Sequence, residues 1–251
     1  MDATSSSSGE TARPDFSVRA ALFPHINPEG VKFGLAALAI CVALAVLAEL
    51  FCPCLRFSTG LMCLLVYGVF LFFRDPERYP PENEPDAMLS PADGRVCQVA
   101  KRPMPDAFGE LEEFKGREYW CVSVFMSVFN VHVNRMPAAG TIEKLQYVAA
   151  GKFFNASHDK ASKENERCNW LVRTADGGAY AVTQIAGLVA RRIVPLASEG
   201  AKMERAERFG LIRFGSRLDI YLPEGVEPAV RTGQTMVAGE TVVARPARKA
   251  E

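Results

Sequence analysis

Hydrophobic positions cluster first in two long runs, Val31–Phe51 and Phe57–Phe73, separated by the short connection Cys52–Arg56. The first is almost wholly apolar, with Lys32 and Glu49 close to its ends. About 20 such residues match the hydrocarbon thickness of a bilayer, so this run predicts a transmembrane helix; the second, at about 17 residues, lies at the lower limit for spanning. Together they predict a membrane-associated α-helical hairpin over residues 31–75. A signal peptide and a buried soluble hairpin are the other readings of such runs. The signal-peptide reading fits poorly, because the apolar run starts far from the N-terminus and a second follows at once.

After Arg74-Asp75-Pro76 a Pro-rich linker, Tyr79–Pro85, marks a change of pattern. Beyond it, β-branched and aromatic content with partial alternation predicts strands at Val96–Ala100, Tyr119–Phe125, Ile142–Val148, Asn169–Thr174, Ala179–Ile185, Leu211–Phe214, Leu218–Leu222 and Thr241–Ala244. Gly-containing turns punctuate them at Asp93-Gly94, Ala139-Gly140, Asp176-Gly177-Gly178, Glu199-Gly200, Glu224-Gly225 and Ala238-Gly239. The fold expected is mainly β, a compact β-sandwich or half-barrel over residues 76–251 behind the helical hairpin.

Composition changes this picture in three places. Residues 1–30 contain the Ser-rich stretch Thr4–Gly9, which cannot bury a core and predicts a disordered tail. Equal numbers of basic and acidic residues, 29 of each, predict no nucleic-acid partner. Basic residues flank the outer ends of the hairpin (Arg13, Arg19, Lys32, Arg74, Arg78) against Arg56 alone in the connection. The positive-inside rule then places both ends in the cytoplasm, with the β domain on the cytoplasmic side of the cell membrane. The seven cysteines are scattered, and Cys52-Pro-Cys54 has no matching Cys or His pair, so reduced thiols and no metal are expected.

Candidate chemistry centres on Gly215-Ser216, between two expected strands. Glycine leaves its own carbonyl unshielded and tolerates backbone angles that other residues avoid. A serine hydroxyl beside it becomes a nucleophile once a base takes its proton. Of three histidines, His25 precedes the apolar runs and His158 sits in a polar loop, leaving His132 as the one expected in the β core. It either points outward on a strand between Val131 and Val133 or serves as a base, with an ordinary pKa of about 6.5. Asp93, in S-P-A-D-G, reads by itself as a turn residue whose carboxylate caps a neighbouring backbone amide. Arg135, Arg191 and Arg192 are either phosphate or carboxylate ligands or solvated charges. Phe153 and Phe154 belong either to the core or to a loop touching the membrane.

Taken in order, S-P-A-D-G at Ser90–Gly94, N-V-H-V-N-R at Asn130–Arg135, E-N-E-R at Glu164–Arg167 and F-G-S at Phe214–Ser216 resemble the short form of phosphatidylserine decarboxylase, from about Pro28 to the C-terminus. The resemblance implies a proenzyme in which the Ser216 hydroxyl attacks the Gly215 carbonyl and the chain breaks there. The products would be a large β chain, residues 1–215, and a small α chain, residues 216–251, held together as a heterodimer. Ser216 would become a pyruvoyl group, a covalent cofactor that takes the substrate amine as a Schiff base. The resemblance further implies an Asp93–His132–Ser216 relay, a phospholipid substrate, the membrane as partner, and no metal. Two departures stand out: longer members carry a second histidine where this chain has Arg135, and L-G-S-T where it has F-G-S-R, ending at Arg217. The hairpin is expected to anchor the protein without shaping the site.

Two rival readings use the same residues differently. Val226–Arg245 resembles the half-barrel of biotinyl and lipoyl carriers and of membrane-fusion adaptors, which would make the protein a membrane-anchored binding or adaptor module. No lysine lies between Met203 and Lys249 for covalent carriage, and no coiled coil is visible. The other rival is a membrane-tethered serine hydrolase that does not cleave itself.

Overall fold

A computed structural model describes residues 25–51, 55–149, 165–187, 192–213 and 215–246. Most of the expected N-terminal tail, Phe153, Phe154, Glu164 and Arg191 lie outside them.

The two apolar runs form helices α1 (Pro28–Leu50) and α2 (Leu55–Phe72). Helix α1 starts before its apolar run because Asn27 Oδ1 accepts the Glu29 N–H at 3.1 Å and Pro28 occupies the first turn. The helices run antiparallel. Arg56 pairs with Glu49 at 3.0 Å at one end, Cys41 and Cys63 bring their sulfurs to 3.3 Å midway, and Gly30 meets Phe73 at the other. A Cβ at Gly30 would sit 2.1 Å from that of Phe73, so the close approach requires glycine. The buried positions of α1 are small or medium-sized, while Leu38, Ile40, Val42, Leu50, Leu61 and Leu64 are exposed. Among the described residues α1 alone is long and apolar enough to cross a membrane, by length and composition, with a mean hydropathy of 2.5.

The remainder is built from β1 (Met88–Leu89), β2 (Gly94–Arg102), a short helix α3 (Asp106–Gly109), β3 (Tyr119–Met126), β4 (Val133–Arg135), β5 (Gly140–Val148), β6 (Arg167–Arg173), β7 (Ala179–Ala186), β8 (Arg192–Pro195), β9 (Lys202–Met203), β10 (Arg208–Arg213), β11 (Ser216–Tyr221), β12 (Val226–Pro228), β13 (Thr235–Met236) and β14 (Val242–Pro246). An eight-stranded sheet in the order β13-β2-β3-β11-β7-β6-β5-β9 curls into a half-barrel, with three-stranded sheets β4-β10-β8 and β1-β14-β12 beside it. Every pairing is antiparallel. The mainly β half-barrel behind a pair of apolar helices is thus the architecture observed.

Alternation along the strands sorts their side chains. Val122, Val124 and Met126 of β3, Leu218 and Ile220 of β11, and Trp170 and Val172 of β6 enter one buried cluster. On the other face Cys121, Leu171, Ala181 and Tyr221 pack with Phe108 of α3. Strand β11 lies between β3 and β7, with Ser216 opposite Met126 on one side and Ala186 on the other. The departure at Arg217 has a structural reason: its guanidinium donates from Nε and Nη2 to the two carboxylate oxygens of Asp219, at 2.9 Å each, and both residues are buried. Removing one member of a buried pair leaves the other's charge poorly compensated. Asp219→Ala is therefore expected to lower unfolding stability by about 3–5 kcal/mol, read from urea denaturation.

Candidate active site

Sequence motifs far apart in the chain meet at the N-terminal end of β11. Gly215 has φ +64°, in the left-handed region where glycine is favoured, and a Cβ there would come no nearer than 3.9 Å to Val128. This angle turns the chain into β11, so that Ser216 enters the sheet fully buried, its Oγ donating to the Met126 sulfur at 3.5 Å. The Gly215 N–H donates to His132 Nε2 at 3.2 Å. Nε2 must then be the bare nitrogen, and Nδ1 carries the proton that it donates to the Asn130 carbonyl at 2.9 Å. Asn130 is itself fixed, because its Oδ1 accepts from both the N–H and the hydroxyl of Ser127 at 2.9 Å.

His132 is completely buried. Burial pushes its pKa down to about 4, against the Asn130 carbonyl, which favours the charged ring, and with help from the positive charge of Arg74. The ordinary value expected from sequence is corrected accordingly: the imidazole is a neutral acceptor at physiological pH. In the observed geometry Nε2 is held by the amide of Gly215 and the Ser216 hydroxyl by a sulfur, so a turn of the serine side chain is needed to join them.

Asp93 sits elsewhere in the network. Its Oδ1 accepts the Ala238 N–H at 2.8 Å and its Oδ2 accepts from Arg78 at 2.9 Å. Among the described residues no hydrogen bond joins it to His132. The amide it caps lies 145 residues away, so the carboxylate links two distant segments instead of closing its own turn. Arg135 is also differently employed. It is buried, donating to the Ala206 carbonyl at 3.1 Å, the Pro76 carbonyl at 2.9 Å and Asp75 at 3.2 Å, so its guanidinium braces the segment that leaves the hairpin instead of facing a ligand. Arg192 is exposed at the start of β8, in register with Arg213.

The remaining motif residues frame the serine. Asn165 donates to the Ala186 carbonyl at 2.7 Å, and the Ala186 N–H returns to the Glu166 carbonyl at 2.9 Å. Since Ala186 is a register partner of Ser216, Asn165 and Glu166 of the E-N-E-R motif build one wall of the site. Glu166 Oε1 accepts from Tyr147 at 2.5 Å and from the Ile193 N–H at 2.7 Å. Buried Asn134 reaches Met126 Sδ at 3.9 Å and accepts from Gln184 at 2.8 Å.

One wall was not expected. Phe72, the last residue of α2, packs against His132 with ring centroids 4.2 Å apart and the rings tilted by 36°. With Phe73 it joins Val131, Val133 and Leu211 in a buried cluster. Arg213 of β10 pairs with Glu29 of α1 and lies over the Phe33 ring at 5.1 Å. The expectation of a hairpin that anchors without shaping the site is therefore corrected, for its base excludes water from the imidazole.

The fold and this site together define a mainly β protein with a buried serine–histidine centre at the start of its central strand. The phosphatidylserine decarboxylase family profile matches residues 68–244. Similar chains include the phosphatidylserine decarboxylase proenzymes of Oleidesulfovibrio alaskensis, 49% identical over 87% of this chain and 93% of the relative, and of Ruegeria pomeroyi, 51% identical over 87% and 94%. The proenzyme of Gluconobacter oxydans is 56% identical over 69% of this chain and 75% of its own. The chain belongs to the phosphatidylserine decarboxylase family.

Proposed function

We propose that this chain is a self-processing, pyruvoyl-dependent decarboxylase that converts phosphatidylserine to phosphatidylethanolamine at the cytoplasmic face of a membrane. The observation that carries the reading is the conjunction at Gly215-Ser216: a left-handed glycine, a buried serine and a neutral imidazole on the glycine amide. The names of the relatives, proenzymes of this decarboxylase, point the same way.

For self-cleavage, His132 Nε2 takes the Ser216 proton as Oγ bonds to the Gly215 carbonyl carbon. The Gly215–Ser216 C–N bond breaks, its nitrogen takes up a proton, and an ester joins Gly215 to Oγ. Loss of the Ser216 Cα proton then expels Gly215 as a C-terminal carboxylate, and water displaces ammonia to leave the pyruvoyl group. The site fits such a group, because position 216 is held by register to β3 and β7 whether or not residue 215 is attached. Bound there, the group supplies an electron sink for the pair released with carbon dioxide. The small chain stays in place for the same reason: β11 is central to the large sheet, β13 pairs with β2, and β14 pairs with β1. Asp93 adds a bond across the cut, from the large chain to Ala238 of the small one. Of the candidate arginines within the described residues, Arg192 is the exposed one, and we assign it the contact with a phosphate or carboxylate.

The hairpin serves as the membrane anchor. Its helices carry most of the exposed large apolar side chains among the described residues, a surface that water disfavours and lipid accepts. Carboxyl-labelled phosphatidylserine in mixed micelles provides the test. Labelled carbon dioxide and phosphatidylethanolamine should form, and hydroxylamine, a carbonyl reagent, should stop the reaction. A protein that leaves the lipid intact, or whose activity is indifferent to hydroxylamine, contradicts the proposal.

The Phe72 contact gives a prediction about pH. A base must be neutral to act, and with a pKa of about 4 most of His132 is neutral at pH 5. Phe72→Ala admits water and returns the ring towards its ordinary value, at which only a small part is neutral at that pH. Cleavage at pH 5 should slow about thirtyfold, with little change at pH 8, and Phe72→Leu should restore most of the rate. Equal slowing at both pH values would assign Phe72 a purely structural role.

A further inference from the structure

The turn between β3 and β4 presents apolar side chains to the outside. Phe129 is 74% exposed and Val128 45% exposed, beside strands whose other aliphatic side chains are mostly buried. The turn is rigid. The Asn130 N–H donates to the Ser127 carbonyl at 3.0 Å, and the Asn130 side chain accepts twice from Ser127. Arg74, just beyond α2, ties the turn to the hairpin by donating from Nη1 to the Leu71 carbonyl at 2.7 Å and from Nη2 to the Phe129 carbonyl at 2.6 Å. The exposed turn is therefore tied to the end of α2, with a cationic group between them.

We propose that Val128 and Phe129 dip into the lipid surface and dock the cleavage site against the bilayer. This rests on the reading of the hairpin as a membrane anchor and adds a second contact from the β domain itself. The occupant is a lipid surface and not a protein groove, because the patch adjoins the end of α2 and Arg74, bound to the turn, would then meet lipid phosphates. Rigid turns with an apolar tip lose little entropy on insertion. The consequence for chemistry is positional. Val128 is the side chain nearest to where a Gly215 Cβ would stand, and the Asn130 carbonyl holds the proton of His132 Nδ1. A lipid reaching the site from the membrane would thus pass beside the docked turn.

The test uses the full chain reconstituted in phosphatidylcholine vesicles containing phosphatidylserine. In Phe129→Trp, lipids brominated high on the acyl chain should quench the added tryptophan emission relative to the wild-type background, which comes from Trp120 and Trp170. Phe129→Asp should raise the apparent KM for phosphatidylserine in vesicles by about ten- to a hundredfold, leave that for a short-chain monomeric phosphatidylserine unchanged, and be rescued by Phe129→Leu. Absence of quenching overturns the proposal, as does an equal loss on both substrate forms. Quenching is read without turnover, so a failure of the decarboxylase reading and a failure of the docking claim are distinguishable. Loss of quenching on chemical cross-linking to a second copy would instead place a protein on the patch.

Discussion

Replacing Ser216 by alanine is expected to leave the chain in one piece and devoid of decarboxylase activity. The substitution removes the oxygen that must bond to the Gly215 carbonyl, and neither the neutral imidazole nor the left-handed glycine can supply another nucleophile. Its structural cost is small. Among the described residues the lost hydroxyl donates only to the Met126 sulfur, and alanine keeps both register pairings of the residue. A stability loss of about 1 kcal/mol or less is expected. Loss of processing in a protein that still melts cooperatively near the wild-type temperature would therefore report chemistry alone. A cleaved Ser216→Ala protein would place the nucleophile elsewhere.

His132→Ala should slow processing by about a hundred- to ten-thousandfold, the range for removal of a positioned general base. Asp93→Asn should do much less. Asn keeps an acceptor for the Ala238 N–H, and the charge it loses faces Arg78, not the imidazole. Its main effect should appear in thermal stability, as Arg78 would keep Glu240, at 3.8 Å, as its remaining carboxylate. Half-lives of processing measured for both variants under one condition decide the matter. If Asp93→Asn were as slow as His132→Ala, the relay implied by the family resemblance would have to form during the reaction. The low pKa of His132 also bears on turnover, since a buried neutral ring is a poor proton donor at neutral pH. Processed His132→Ala, recovered after long incubation, tests that directly.

The long strands were legible because each shows alternation over enough residues to define a period; β3 and β7 were located to within a residue or two. Strands of two to four residues, such as β1, β4 and β9, carry no readable period, and each exists only through its partner. Helix α1 could have been started earlier, since Asn27-Pro28 is a capping signal placed ahead of the hydrophobic run. The site divides in the same way. Gly215, Ser216 and His132 were marked by their motifs, and their meeting at the start of β11 confirms that those motifs share one place. Met126 lies one residue beyond the expected strand Tyr119–Phe125, and its contact with Ser216 depends on which strands flank β11. Phe72 belonged to an apolar run whose composition described a membrane segment and gave no sign of an imidazole sixty positions away. The relay role of Asp93 came from the resemblance and Arg135 was read as a ligand candidate, whereas their partners, Arg78 and Asp75, lie between the apolar runs and the Pro-rich linker, where composition gave no sign of these contacts.

Intact mass of the purified wild-type protein under denaturing conditions is the most direct measurement of all. Self-processing predicts two species, residues 1–215 and residues 216–251, the smaller lighter by one ammonia than a chain with an N-terminal serine. A single species of the full 251 residues in a preparation that decarboxylates phosphatidylserine would contradict the account.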